Sequence, residues 1–145
     1  MNNKKILNKL IKESFPELKK KSIKIIESKS FRNYGFYLPI VNIIFITTRE
    51  KFSDAEKIGL LVHEICHAEQ SSQLGFFGSI LLLVNYWIFK KTRKRTEVQA
   101  DKIALKKGYA NELLEMTKKF EKEFGKKRYG LSSKQIIKYN EKGVF

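Results

Sequence analysis

Hydrophobic positions near the start of the chain follow first a helical and then an alternating pattern. Residues 3–14 repeat apolar side chains at helical spacing and stop before Pro16, which predicts an amphipathic helix. Residues 22–28 alternate, and two runs rich in β-branched and aromatic residues follow near 31–38 and 43–48. We therefore expect a helix followed by a small three-stranded sheet, mainly antiparallel.

The helical period returns at Ser53. Ser53 and Glu56 form the capping-box pattern S-D-A-E, which predicts a helix from Ser53 to about residue 72. Its apolar side chains fall on one stripe, while His63 and His67 project from nearly the opposite side. One face of this helix is expected to build the core and the other to meet something else.

An apolar run with a basic flank follows Gly75. The run covers residues 76–89 and is shorter than the roughly 20 apolar residues that span a bilayer. A buried helix or an interface between copies of the chain is the favoured interpretation. The Tyr86-Trp87 pair and the basic residues 90–95 also suit peripheral membrane contact, so these alternatives stay open.

Three further helices complete the prediction. One covers 96–108 and ends at Gly108, a second is amphipathic and begins at Asn111, and a short third covers residues 132–140. The length favours one domain, residues 1–145, with a core over 20–125 and a C-terminal tail over 126–145. The expected class is α+β.

Composition narrows the expected partners and location. The formal charge is +15, but 25 lysines stand against 5 arginines and are spread along the chain, which favours a solvated surface over a nucleic-acid interface. The single cysteine, Cys66, excludes an internal disulfide framework. No signal-peptide pattern opens the sequence, so cytoplasmic residence is expected.

The segment His63-Glu64-Ile65-Cys66-His67 carries the candidate chemistry. H-E-x-x-H on a helix puts two imidazoles on one face, where both can bind one Zn²⁺ ion beside the glutamate. The alternative is a pair of surface histidines, but these are the only two histidines in the chain. Cys66 points about 100° away from His67 and is expected to pack in the core.

A catalytic zinc ion needs a third protein ligand, which must be Asp, Glu or Cys here. Glu97 is the best candidate, because Glu97 and Asp101 lie one turn apart on a helix face with small residues. Asp101 would then accept the ring N–H of a ligating histidine, with His63 favoured. A solvated pair of carboxylates is the alternative.

HEICH followed by E-V-Q-A-D resembles the gluzincin class of zinc metallopeptidases, in which a second helix supplies a glutamate ligand. The E-x-x-A-D form is similar to that of HtpX-type membrane peptidases, and the small size and layout are closest to the minigluzincins, which tend to be latent. The resemblance covers about residues 31–108. The chain departs from the HtpX pattern because residues 68–96 are too few for two membrane helices.

The resemblance implies a zincin-like fold and hydrolysis of peptide bonds in a peptide or unfolded protein. Zinc would lower the pKa of a bound water toward about 7, and Glu64 would take its proton. Asn33, Tyr34, Gly35 and Phe36 would form an edge strand that aligns the substrate. The residue that stabilises the oxyanion stays open among Tyr86, Tyr109, Tyr129 and Arg128.

Two other functions remain alternatives. One is a catalytically silent zinc-bearing regulatory or interaction protein whose site is occluded by its own C-terminal segment or by a partner. The other is a basic nucleic-acid-binding module, which is disfavoured because it leaves the alignment of His63, His67 and Glu97 without a role.

Overall fold

The chain folds into an α+β structure in a computed structural model that describes residues 2–30, 33–125 and 128–143. The elements in chain order are helix α1 (Asn3–Glu13), a 3-10 turn (Pro16–Leu18), strands β1 (Lys24–Ser28), β2 (Gly35–Leu38) and β3 (Ile43–Thr47), and helices α2 (Asp54–Ile88), α3 (Lys90–Lys106), α4 (Ala110–Phe124) and α5 (Ser133–Lys142).

The three strands form one mixed sheet in the order β1-β3-β2. β3 is parallel to β1 and antiparallel to β2. The expectation of a mainly antiparallel sheet was therefore wrong. The short connection from Leu38 to Ile43 forces β2 and β3 to run in opposite directions, but the direction of β1 depends on a longer path that local patterns do not encode.

β2 begins later than the sequence suggested. The strand expected near 31–38 is limited to Gly35–Leu38, while Asn33 and Tyr34 precede it in a bend. Phe31 lies outside the described residues. β2 is an edge strand, as the substrate-alignment hypothesis requires.

Helix α2 starts at the predicted capping box. The Ser53 backbone N–H donates to Glu56 Oε2 at 2.7 Å, and the Glu56 N–H donates to Ser53 Oγ at 3.2 Å. The helix then continues past residue 72 to Ile88, with one break at Gly75, where φ is 69° and ψ is −176°. Glycine adopts this backbone conformation without the steric cost that a Cβ would add.

The hydrophobic core lies around the first half of α2, which packs against α4, α3 and β2. Leu61, Val62, Ile65 and Cys66 are fully buried, so the thiol packs in the core as predicted. The core also includes side chains of α1 and of the C-terminal segment, among them Ile6, Leu7, Leu10, Leu131 and Ile136. It therefore extends beyond the expected range 20–125, because α5 packs against α4 and α3.

The part of α2 after Gly75 behaves differently. Its apolar side chains are largely exposed, so a helix buried in the chain's own core is excluded for 76–89, while an interface between copies and membrane contact stay predictions. The break at Gly75 turns this part of the helix away from the axis of the preceding core segment. α3 begins at Lys90, six residues earlier than expected, since the basic run is itself helical.

Candidate metal centre

Helices α2 and α3 bring three predicted ligands together. His63 and His67 come from α2 and Glu97 from α3, and one ligand atom from each lies within 4.8 Å of the others. The Nε2 atoms of the two histidines are 3.3 Å apart. Glu97 Oε2 lies 3.1 Å from His63 Nε2, and Glu97 Oε1 lies 3.5 Å from His67 Nε2. Two nitrogens and a carboxylate therefore converge on one point.

Hydrogen bonds at the far side of each ring determine which nitrogen faces this point with a lone pair. His63 Nδ1 lies 2.8 Å from Asp101 Oδ1, and a carboxylate can only accept, so Nδ1 carries the proton. His67 Nδ1 lies 2.9 Å from Gln70 Oε1. The Gln70 amide nitrogen donates to the Thr96 carbonyl at 3.1 Å, which orients its oxygen toward His67. In the neutral rings both Nε2 atoms are therefore acceptors.

The spacing of these donors fits a tetrahedral zinc ion. Zinc–nitrogen bonds of about 2.0–2.1 Å at a tetrahedral angle separate two ligand atoms by about 3.4 Å. The 3.3 Å between the two Nε2 atoms lies near that value, while the distances of 3.1 and 3.5 Å join His63 and His67 to different oxygens of the Glu97 carboxylate. When both rings are neutral, three lone-pair donors at such distances repel one another, and a cation between them would relieve this repulsion, so the residues fit a metal ion.

Glu64 lies beside the cluster and is not among the three converging ligands. Glu64 is only 3% exposed. Burial raises the pKa of this carboxyl group, although nearby His63 and His67 oppose the shift. Within the described residues, Glu64 Oε2 is buried and has no hydrogen-bond partner. A buried acceptor without a partner is costly and indicates a place for a water molecule or a substrate group.

Asp101 accepts three hydrogen bonds from Arg128 and Leu131 in addition to the one from His63. The Arg128 guanidinium donates to both carboxylate oxygens at 2.7 Å, and the Leu131 backbone N–H donates to Oδ2 at 2.6 Å. Burial opposes the charged form of Asp101, but Arg128 and His63 lower its pKa. The backbone at Gly130 passes so close to Asp101 that a Cβ on Gly130 would lie 2.3 Å from Asp101 Oδ2.

The four candidates for oxyanion stabilisation lie in different places. Tyr86 is the one whose hydroxyl contacts a ligand, donating to Glu97 Oε1 at 2.6 Å. Arg128 is paired with Asp101, as described above. The Arg93 guanidinium stacks over the rings of Tyr86 and Tyr129 at 5.2 and 5.1 Å. The Tyr109 hydroxyl forms a hydrogen bond with the hydroxyl of Ser14, which directly follows α1. Ser14 is distant in sequence from His63, His67 and Glu97.

The predicted alignment strand is only partly next to the cluster. A Cβ on Gly35 would lie 3.0 Å from Glu64 Oε1, so β2 begins beside this carboxylate. Phe36 is partly exposed and stacks on Phe45. Tyr34, by contrast, is buried against other aromatic rings and its hydroxyl donates to Glu123. Asn33 is exposed in the bend before the strand.

Sequence reasoning missed two parts of the centre. Gln70 orients His67, and its position three residues after His67 on the same helix was a usable signal. The Leu131 N–H binds Asp101 across 30 residues of sequence, and no local pattern announces it.

Comparisons of the chain with protein families, with curated proteins and with solved structures found no match in any of the three.

Proposed function

We propose that this chain is a small zinc-dependent peptidase of the gluzincin type. The observation that carries the proposal is the convergence of His63 Nε2, His67 Nε2 and a Glu97 carboxylate oxygen beside a buried oxygen of Glu64 that has no hydrogen-bond partner among the described residues. Two histidines and one glutamate form a known ligand set of catalytic zinc, which leaves a fourth position open for water or substrate.

The chain's own residues divide the chemistry between them. A bound zinc ion would supply Lewis-acid activation of a water molecule and of the substrate carbonyl. Glu64 would accept the water proton at Oε2 and donate it to the leaving amine nitrogen. Its raised pKa suits both steps, because a carboxyl group that is too acidic holds a proton poorly.

The edge strand offers a path for the substrate. An extended peptide can add to β2 by main-chain hydrogen bonds, and β2 begins at Gly35 beside Glu64. The absence of a side chain at Gly35 allows the Glu64 carboxylate to pack directly against the start of β2. The proposed substrate class is therefore an extended peptide or an unfolded protein.

A second candidate is a zinc-bearing protein that does not catalyse. Burial of the centre favours it, because His63 is 6% exposed and Glu64 is 3% exposed.

Metal analysis with a cleavage assay tests the proposal. We expect wild type purified with added zinc to hold one zinc ion per chain, and His63→Ala and Glu97→Gln to lose it. Glu64→Gln should keep zinc but lose cleavage of unfolded casein by at least about 100-fold. Glu115→Gln, on the exposed side of α4, is the matched control and should keep both.

The outcomes separate the alternatives. Zinc-free wild type would refute both candidate functions. Stoichiometric zinc without cleavage of unfolded casein by the intact chain would refute an active peptidase and support the silent protein. Equal cleavage by wild type and Glu64→Gln would show that the activity is not from this site.

A further inference from the structure

The second half of α2 presents an apolar surface that the described residues leave uncovered. Phe77, Leu81, Val84 and Ile88 repeat at spacings of four and three residues and so share one side of the helix. We call them the apolar stripe. Phe77 is 84% exposed, Leu81 63% and Ile88 64%. Trp87, beside the stripe, is 66% exposed.

The opposite side of the same helix faces the protein. Ser79 is buried, and its hydroxyl oxygen lies within hydrogen-bond distance of the carbonyl oxygens of Gly75, at 2.6 Å, and Ser71, at 3.0 Å. Tyr86 reaches Glu97. The helix is therefore fixed in its rotation by polar contacts on its inner side, and the apolar stripe is directed outward. A stripe of large side chains on one exposed helix is more than the scattered apolar residues of an ordinary surface.

A span across a membrane does not fit the geometry. By length and composition α2 is apolar enough to cross a bilayer. Its first half, however, is buried in the core and carries the metal-site histidines. After the break at Gly75, the 13 residues 76–88 extend only about 20 Å, against a hydrocarbon thickness of about 30 Å. The segment is long enough to lie along a membrane surface.

Charge indicates what kind of surface it meets. No acidic residue occurs from 70 to 96, and the stripe runs directly into five basic residues, Lys90, Lys91, Arg93, Lys94 and Arg95. Lys90, Lys91 and Lys94 are exposed. A second copy of this chain, with its own charge of +15, would bring a like-charged cluster toward this one. An anionic bilayer offers an apolar layer to the apolar stripe and negative charge to the lysines.

We propose that the apolar stripe and the adjoining lysines dock this protein on the surface of an anionic membrane. The stripe enters the boundary between headgroups and acyl chains, and the lysines contact the phosphate groups. In this orientation Trp87 lies at the membrane–water interface, where tryptophan is enriched in membrane proteins. The inference does not depend on catalysis, because it uses no residue of the zinc cluster.

Trp87 makes the proposal directly measurable, because it is the only tryptophan in the chain. The full-length protein is mixed with vesicles of phosphatidylcholine alone or with 40 parts in 100 of phosphatidylglycerol. We expect Trp87 emission to shift to shorter wavelength, and to be quenched by lipids brominated on the acyl chain, with the anionic vesicles only. Binding should weaken steeply as salt is added.

Two pairs of variants separate the apolar from the electrostatic contribution. Leu81→Gln with Ile88→Gln should reduce the partition coefficient at least about tenfold. Its matched control is Ile40→Gln with Val41→Gln, which changes two exposed apolar residues in the β2–β3 turn. Substituting Lys90, Lys91 and Lys94 by Gln should reduce binding to anionic vesicles about 100-fold. The same change at exposed Lys4, Lys5 and Lys9 removes equal charge from α1 and should have a much smaller effect.

Three results would overturn the proposal. The first is an unchanged Trp87 spectrum in the presence of anionic vesicles. The second is binding that Leu81→Gln with Ile88→Gln leaves intact. The third is a concentration-dependent dimer in sedimentation, abolished by that double variant and not dispersed by vesicles, which would assign the stripe to a second copy. Glu64→Gln should bind vesicles as wild type does, so a failed peptidase proposal leaves this test valid.

Discussion

Arg128 and Asp101 form a bidentate ion pair across 27 residues of sequence, with both N–O distances at 2.7 Å. Asp101 in turn accepts a hydrogen bond from His63 Nδ1 at 2.8 Å. The C-terminal segment thus reaches the candidate metal centre through one buried carboxylate, which determines the orientation of a metal ligand. The proposed zinc site and the packing of the C-terminal segment are therefore expected to depend on each other.

Replacing Arg128 should weaken both the fold and the zinc site. Arg128→Leu leaves the charge of Asp101 buried with fewer partners, so we expect a loss of about 3–5 kcal/mol in the free energy of unfolding. Zinc affinity should fall about 10–100-fold, because His63 loses its fixed orientation. Denaturant unfolding and competition with a chelator measure the two effects.

Arg95→Leu is the matched control for this variant, since it removes an exposed arginine from α3. It should change neither quantity. An Arg128→Leu protein with normal zinc affinity would contradict the coupling between the C-terminal segment and His63.

Tyr86→Phe should loosen the glutamate ligand. The hydroxyl donates to Glu97 Oε1 at 2.6 Å, so its removal frees one carboxylate oxygen and should lower zinc affinity by up to about tenfold. Tyr109→Phe, which removes a hydroxyl bonded to Ser14, should leave the affinity unchanged. If Tyr86→Phe instead lowered kcat with normal zinc affinity, the hydroxyl would act on the substrate oxyanion rather than on Glu97.

Zinc binding should release protons and strengthen as pH rises. In the metal-free protein burial lowers the pKa of His63, but Asp101 and Glu97 outweigh it and raise the pKa from 6.5 to about 10. A ligating histidine must be neutral, so zinc has to displace this proton. Titration calorimetry in buffers with different ionisation enthalpies should detect the released proton at pH 7, and a buffer-independent enthalpy would contradict it.

The raised pKa of His63 also makes the stability of the metal-free fold depend on pH. A pKa raised in the folded state stabilises the fold below pH 6.5, and this contribution is lost as pH rises from 6.5 through about 10. The unfolding temperature of the zinc-free protein should therefore fall over this window. Asp101→Asn should reduce the fall, because it removes the charge that contributes most to raising the pKa.

Cys66 should be inert in the folded protein. Its side chain is fully buried, and burial raises the pKa of the thiol well above its usual value. We expect iodoacetamide to label it at least about 100-fold more slowly in native buffer than in denaturant. Cys66→Ala should keep stoichiometric zinc. Fast labelling in native buffer that zinc suppresses would instead indicate that the thiol is a ligand.

Much of the candidate metal centre could be predicted because its parts are local. The spacing of His63 and His67 on one helix, the capping box that starts this helix, and the pairing of Glu97 with Asp101 one turn apart all follow from the period of 3.6 residues. Helical periodicity fixes which side chains share a face. The prediction that the face of His63 and His67 meets the face of Glu97 and Asp101 then followed from the small residues on the second face, Ala100 and Ala104.

Other features were decided only by packing over long distances in the chain. The parallel direction of β1 and the pairing of Arg128 with Asp101 were not predicted correctly, and the sequence left open whether the apolar stripe is buried or directed outward. Periodicity determines which side chains lie together on an element, but not which neighbour covers them. That choice depends on how all the elements fill one core, so the sequence determined the helix faces and the tertiary structure decided which of them stayed exposed.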